Sequence, residues 1–172
     1  MEHKYVELGA WDKITHYSIV GFFLVITATS SVLVVLDPGA PKSRFLFGIF
    51  VVSLLLAGIS YWRQRRALRF VKFHTHHDAN FNFHAVLSLT ANLEWNVIDE
   101  RHAQLVVAAV PGFPKTLRSW GERVTVCFSG TDVYVNSICD PAKGDSVVTF
   151  GRNSENVRAV AKAVNGSSLV SG

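Results

Sequence analysis

The chain has 172 residues, of which 49% are hydrophobic, and a formal net charge of +4 at pH 7. That charge is unevenly distributed: residues 1–72 carry nine Lys or Arg against four Asp or Glu, whereas residues 73–172 carry eight against nine. A nucleic-acid-binding domain would show a basic stripe on its soluble part, so this distribution argues against nucleic acid as a partner. The two cysteines, Cys127 and Cys139, lack the C-x-x-C spacing of a redox or zinc pair.

Two apolar segments lie close together near the start of the chain. Ser18–Leu36 has 19 residues and Phe45–Trp62 has 18, and neither contains a charged residue. A bilayer core about 30 Å thick needs about 20 helical residues to cross it. The intervening residues 37–44 contain proline and glycine, which is typical of a tight turn. The sequence therefore predicts a two-helix transmembrane hairpin over residues 18–62, preceded by a cytosolic segment over residues 1–17.

Basic residues predict the orientation of this hairpin. Seven Lys or Arg lie near the two ends remote from the turn, whereas the turn itself holds two, Lys42 and Arg44. Under the positive-inside rule both termini are in the cytoplasm, and the chain is an integral protein of a bacterial inner or plasma membrane. The lipid bilayer is its first expected partner. Small and hydroxyl-bearing residues of the spans are expected to pack between helices: Thr27, Thr29, Ser30, Ser31, Gly48, Ser53, Gly58 and Ser60.

Residues 63–79 are predicted to form a basic, histidine-rich linker beside the membrane. Basic residues recur at helical spacing in its first part, which indicates an amphipathic helix with its apolar side on the interface and its cations on lipid headgroups. A simpler interpretation, which we favour over the interfacial helix, is a signal that only sets the topology. The predicted membrane-interface residues are Arg63, Arg65, Arg66, Arg69 and Lys72.

Four of the seven histidines lie between positions 74 and 84. In an extended chain His74 and His76 point to the same face, as two metal ligands would. His74, His76 and His77 are therefore candidate ligands for zinc or another divalent cation, although no H-E-x-x-H or Cys/His signature sets a geometry. A pH-responsive contact and a plain linker are the alternatives. No other cofactor is predicted.

Residues 80–166 are predicted to form one cytosolic α+β domain, with a mainly antiparallel sheet of four to five strands and two flanking helices. The helices are expected near 80–95, capped by Asn80 or Asn82, and near 154–165. Alternation and turn signals predict strands at 95–99, 104–110, 122–128, 131–137 and 146–150. The final residues, 167–172, are small and polar and are predicted to be a flexible tail.

The last helix carries an apolar face with helical periodicity. Val157, Val160, Ala161 and Val164 recur at i, i+3, i+4 and i+7. The sequence therefore predicts that Val160 lies in the core of the α+β domain.

The start of that helix is the predicted contact site. Free N–H groups and the helix dipole favour negative charge at a helix N-terminus, and Arg152 would add a bidentate contact to phosphate or carboxylate. Arg152, Asn153 and Ser154 are therefore predicted to contact a ligand or a partner. Because the sequence has no P-loop, an ordinary capped helix is the alternative.

The sequence contains no recognisable catalytic motif. It lacks a G-x-S-x-G elbow, a Walker A motif, a dinucleotide fingerprint and a zinc-protease motif, which disfavours an enzyme. We interpret the chain as a membrane sensor or effector, of the layout found in bacterial defence and toxin–immunity systems. Its cytosolic domain would bind a ligand or protein partner and couple it to a self-associating hairpin. The alternatives are a non-catalytic accessory subunit of a larger membrane complex and, less favoured, a membrane-tethered enzyme or metal-binding protein.

Overall fold

A computed structural model describes residues 5–39, 42–101, 104–109, 121–141 and 152–166. The chain divides into two compact units. One spans Gly9–Arg66, and the other combines Met1–Leu8 with Ala67–Gly172.

The first unit is helical. It consists of α1 (Ala10–His16), α2 (Ser18–Leu36) and α3 (Ser43–Ala67). Both α2 and α3 are long and apolar enough to cross a membrane, with mean hydropathies of 2.5 and 2.1. Helix α3 continues past the predicted end at Trp62, because glutamine and arginine in its last turn are good helix formers.

Hydroxyl and small side chains are buried between the two long helices. Thr27 and Ser53 are both buried, and their hydroxyl oxygens lie 2.8 Å apart. Ser30 is 5% exposed and Ala57 only 3%. Small residues allow helix backbones to approach closely, so the predicted packing role is confirmed for Thr27, Ser30 and Ser53.

Three other small residues of the spans, Gly48, Gly58 and Thr29, lie on outward faces. A Cβ atom added at Gly48 or Gly58 would meet nothing within 4 Å. Thr29 is exposed and Ser31 is partly exposed, and each hydroxyl donates to a carbonyl of its own helix. Within this hairpin, therefore, the predicted packing role is wrong for Gly48, Gly58 and Thr29.

The second unit contains a five-stranded sheet in the order β1-β5-β4-β3-β2, with every neighbouring pair antiparallel. Its strands are β1 (Val71–His74), β2 (Asn96–Arg101), β3 (Gln104–Ala109), β4 (Glu122–Ser129) and β5 (Asp132–Cys139). A two-residue turn joins β4 to β5, and Gly130 in that turn has a φ of 60°. The predicted mainly antiparallel α+β fold is thus confirmed for the described residues.

The edge strand β1 comes from the segment predicted to be an amphipathic helix. Helix α3 ends at Ala67, and Val71–His74 then pairs with β5. Backbone pairing satisfies the polar groups of this segment, and Phe73 packs against the core. The prediction of a helix through Lys72 is therefore wrong. The strand predicted at 146–150 and the tail at 167–172 lie outside the described residues.

Helices α4 (Ala79–Asn92) and α5 (Arg152–Gly166) pack against one face of the sheet. Val160 is fully buried there, which confirms its predicted place. The main core consists of Phe83, Val86, Leu105, Val107, Val124, Val126, Phe128, Val133, Val135, Val160 and Val164.

Helix α4 is capped by Asp78 rather than by Asn80 or Asn82. The backbone N–H of Phe81 donates to Asp78 Oδ1 at 2.8 Å, which satisfies one of the free donors of the first turn. Asn82 lies one turn inside the helix and is fully buried. Its Nδ2 donates to Thr75 Oγ1 at 2.8 Å and so ties the preceding loop to the helix.

Candidate functional site

The predicted contact residue Arg152 points into the domain rather than into solvent. Its Nε lies 3.2 Å from Glu122 Oε1, and the two side chains are 14% and 0% exposed. Neither oxygen of Glu122 has a hydrogen-bond partner among the described residues, so this ion pair is the principal compensation for its buried charge. Removing one partner of such a pair is strongly destabilising. The geometry therefore assigns Arg152 to the interior of the domain.

Asn153 is also engaged within the domain. Ser137 Oγ donates to Asn153 Oδ1 at 3.0 Å and accepts from Asn156 Nδ2 at 3.1 Å. Ser137 and Asn156 are each only 6% exposed. This polar cluster joins the end of β5 to the first turn of α5. Of the three predicted contact residues, Ser154 is the exposed one.

The sequence analysis did not identify Glu122 as a buried charged residue, although its position on β4 indicates that it is one. Its position is in phase with Val124, Val126 and Phe128 on β4, and these side chains face the core. A carboxylate in phase with a buried apolar face requires a cationic partner. The sequence contains several arginines that could pair with Glu122, and only the fold shows that the partner is Arg152.

The predicted metal ligands have separate surroundings. His74 Nδ1 lies 3.0 Å from Asp132 Oδ1, while His77 stacks on Phe81 with ring centroids 4.0 Å apart. His76 is exposed. Within the described residues, no group of three His, Cys, Asp or Glu side chains is placed to hold a metal ion.

Asp132 joins the edge strand to its neighbour through Lys72 and His74. Its Oδ2 lies 2.8 Å from Lys72 Nζ on β1. Hydrogen bonds from Lys72 first and His74 second lower the pKa of the Asp132 carboxyl, and the same contact raises the pKa of Lys72.

We expect the stabilisation from Asp132 to disappear in acid. Its pKa is lower in the folded than in the unfolded chain, where it is about 3.9. The contribution is therefore fully present above the unfolded value and is lost as the pH falls through the folded value. Hydrogen exchange of the β1 amides should be faster in Asp132→Asn than in the wild type at pH 7. That difference should shrink as the pH falls below about 3.9 and through the lowered pKa of the folded carboxyl, and a difference independent of pH would contradict the assignment.

The predicted membrane-interface residues divide between the two units. Arg63, Arg65 and Arg66 lie near the end of α3, and the Arg66 guanidinium lies 5.4 Å from the Trp62 ring centroid. In the second unit, the Arg69 guanidinium lies 5.8 Å from the Tyr5 ring centroid, and Lys72 pairs with Asp132.

An open groove of about 790 Å³ runs between α4 and α5 on the outside of the helical layer. This volume falls in the range of small-molecule sites. Phe81 and Leu93, at opposite ends of α4, are each 43% exposed. The groove is lined by Phe81, His84, Ala85, Ser88, Leu89, Asn92, Leu93, Ala159, Lys162, Ala163 and Gly166. These residues include no acidic side chain and leave apolar surface uncovered.

The buried cysteine has no features of a catalytic nucleophile. Cys127 is 4% exposed, and burial raises the pKa of its thiol to about 11. The thiol is therefore protonated near neutral pH and behaves as a small core residue.

Comparison with protein-family models, with curated proteins and with solved structures finds no match.

Proposed function

We propose that this chain is a two-pass membrane protein whose cytosolic α+β domain binds a ligand or protein partner and couples it to a self-associating hairpin. Both termini are cytoplasmic in this proposal. The main support for this proposal is the pair of long apolar helices, whose large hydrophobic side chains are not covered by other parts of the described structure. On α3 alone, Phe45 is 72% exposed, Leu55 61% and Ile59 54%.

This exposed surface requires an apolar environment. Burying one large aliphatic or aromatic side chain contributes about 1.5–3 kcal/mol, and more than ten such side chains are exposed on α2 and α3. A bilayer would cover the apolar surface of both helices, and the 19 residues of α2 match the hydrocarbon thickness. Basic residues at the end of α3 then favour the cytoplasmic side for that end.

Cysteine labelling in intact cells tests the topology. In a chain with Cys127 and Cys139 replaced by serine, a Ser43→Cys variant should react with an impermeant maleimide. Ser167→Cys should react only after the membrane is permeabilised. The opposite pattern would reverse the orientation, and labelling of both sites in intact cells would exclude a spanning hairpin.

The groove between α4 and α5 supports the binding part of the proposal. Arg152 and Asn153 are already engaged by Glu122 and Ser137, whereas the groove offers apolar surface together with Lys162. Small-molecule sites are typically concave and mostly apolar, with a few polar side chains that fix the orientation of the ligand. We therefore place the ligand or partner contact at the groove rather than at the start of α5.

Site-specific photocrosslinking in cells tests this placement. A photoreactive phenylalanine derivative at Ser88, which lines the groove, should give a discrete adduct. The matched control is Asn80, which is exposed on the same helix but does not line the groove. An adduct of twice the chain mass would show that the partner is a second copy. Equal crosslinking at both positions, or at neither, would contradict a contact at the groove.

A further inference from the structure

The short helix α1 has one apolar face and one polar face. Trp11 is 81% exposed and Ile14 is 62% exposed, and their spacing of three residues puts them on the same side. His16 lies about 140–160° around the helix from both, at about 100° per residue. His16 Nε2 lies 3.1 Å from the backbone carbonyl oxygen of Gln64 on α3. The polar side of α1 therefore faces α3. Trp11 and Ile14 therefore face outward from the helical unit.

Helix α1 is nearly continuous with α2. Only Tyr17 separates them, its N–H donates to the Lys13 carbonyl at 3.0 Å, and its carbonyl accepts from Gly21 at 3.0 Å. At about 1.5 Å per residue, Ile14 lies within about 5 Å of Tyr17 along the helix, and Trp11 within about 9 Å. A headgroup layer is about 5–8 Å deep on each side of the hydrocarbon. Trp11 and Ile14 therefore lie in that layer or at its edge if α2 spans the bilayer.

Other aromatic residues lie at the same end of the hairpin. The Tyr17 and Tyr61 ring centroids are 5.7 Å apart, so the start of α2 is level with the end of α3. Next to Tyr61, Trp62 is 60% exposed and lies under the Arg66 guanidinium. Tryptophan and tyrosine are enriched where a membrane meets water, and basic side chains accompany them on the cytoplasmic side.

We propose that α1 is an interfacial helix, with Trp11 and Ile14 inserted between lipid headgroups. The bilayer contact then begins at Ala10, eight residues before the first span and inside the segment that the sequence places in the cytosol. The polar face of α1 remains on α3, so the helix anchors the hairpin while leaving the His16–Gln64 contact in place. This inference rests on the proposed function, because it requires α2 and α3 to cross the bilayer.

Tryptophan quenching by brominated lipids tests the inference on the whole chain in liposomes. Phenylalanine replaces three of the four tryptophans (Trp11, Trp62, Trp95 and Trp120) in each variant. One variant keeps Trp11, a second keeps Trp62, and a third keeps Trp95 of the α+β domain as the control outside the bilayer. Lipids brominated near the headgroup should quench Trp11 and Trp62 and leave Trp95 unquenched. The emission maximum of the Trp11 variant in detergent-free liposomes should also lie at a shorter wavelength than that of a tryptophan fully exposed to water.

The outcomes separate this inference from the proposed function. Quenching of Trp62 without quenching of Trp11 would overturn the interfacial role of α1 and leave the spanning hairpin intact. If Trp62 is also unquenched, the hairpin does not meet the bilayer at this end and both proposals fall. Stronger quenching of Trp11 by lipids brominated at the chain terminus than near the headgroup would also overturn the inference, because it would place α1 within the hydrocarbon.

Discussion

Replacing Arg152 by alanine should lower the free energy of unfolding of the α+β domain by about 3–5 kcal/mol. The change leaves the fully buried Glu122 carboxylate without its cation. A carboxylate in that position would then be buried without a compensating charge, which costs free energy. Hydrogen exchange of the β4 and β5 amides, followed by mass spectrometry on the purified full chain, measures the loss.

Arg158→Ala is the matched control, because Arg158 is exposed on the same helix and should change stability by no more than about 0.5 kcal/mol. Replacing both partners by apolar residues, as in Glu122→Leu with Arg152→Met, should recover most of the lost stability, since it removes the uncompensated charge. If Arg152→Ala behaves like Arg158→Ala, the ion pair does not stabilise the domain. The sequence-based expectation of an outward-facing Arg152 would then be restored.

Val160→Asp is expected to lower the free energy of unfolding by about 4 kcal/mol or more, which is exceptional for a single substitution. Val160 is fully buried among the apolar side chains of the core. A carboxylate there would lose its hydration among apolar side chains. The α+β domain should lose protection from hydrogen exchange in β4, β5 and α5 together.

Arg158→Asp introduces the same carboxylate two residues earlier, at an exposed position, and should leave that protection nearly unchanged. A comparable loss in both variants would point to an effect of charge along the helix rather than to burial. Retained protection in Val160→Asp would mean that α5 does not pack on the sheet through this face.

The prediction of the apolar helices and of the β4–β5 hairpin depended on patterns within short stretches of chain. Hydrophobic length predicted α2 and α3, and strict alternation on both sides of Ser129-Gly130 predicted the hairpin, because each pattern is set by the element's own repeat. The face of α5 followed in the same way from the spacing of its valines. Helix ends are less well predicted: the sequence offers Asn80 and Asn82 as caps of α4, whereas the cap is Asp78.

Contacts between distant parts of the chain were decided by the tertiary structure alone. Val71–His74 carries basic and aromatic residues that suit a helix at a membrane surface, yet it pairs with β5, because β5 offers backbone partners some 60 residues further along. Arg152 lies at the start of a helix, where the sequence suggests anion binding, but in the fold its side chain pairs with Glu122. Local periodicity determined which elements form and which faces are apolar, since those depend on neighbouring residues. Which strand completes the sheet edge and which cation neutralises a buried carboxylate depend on residues that only the folded chain brings together.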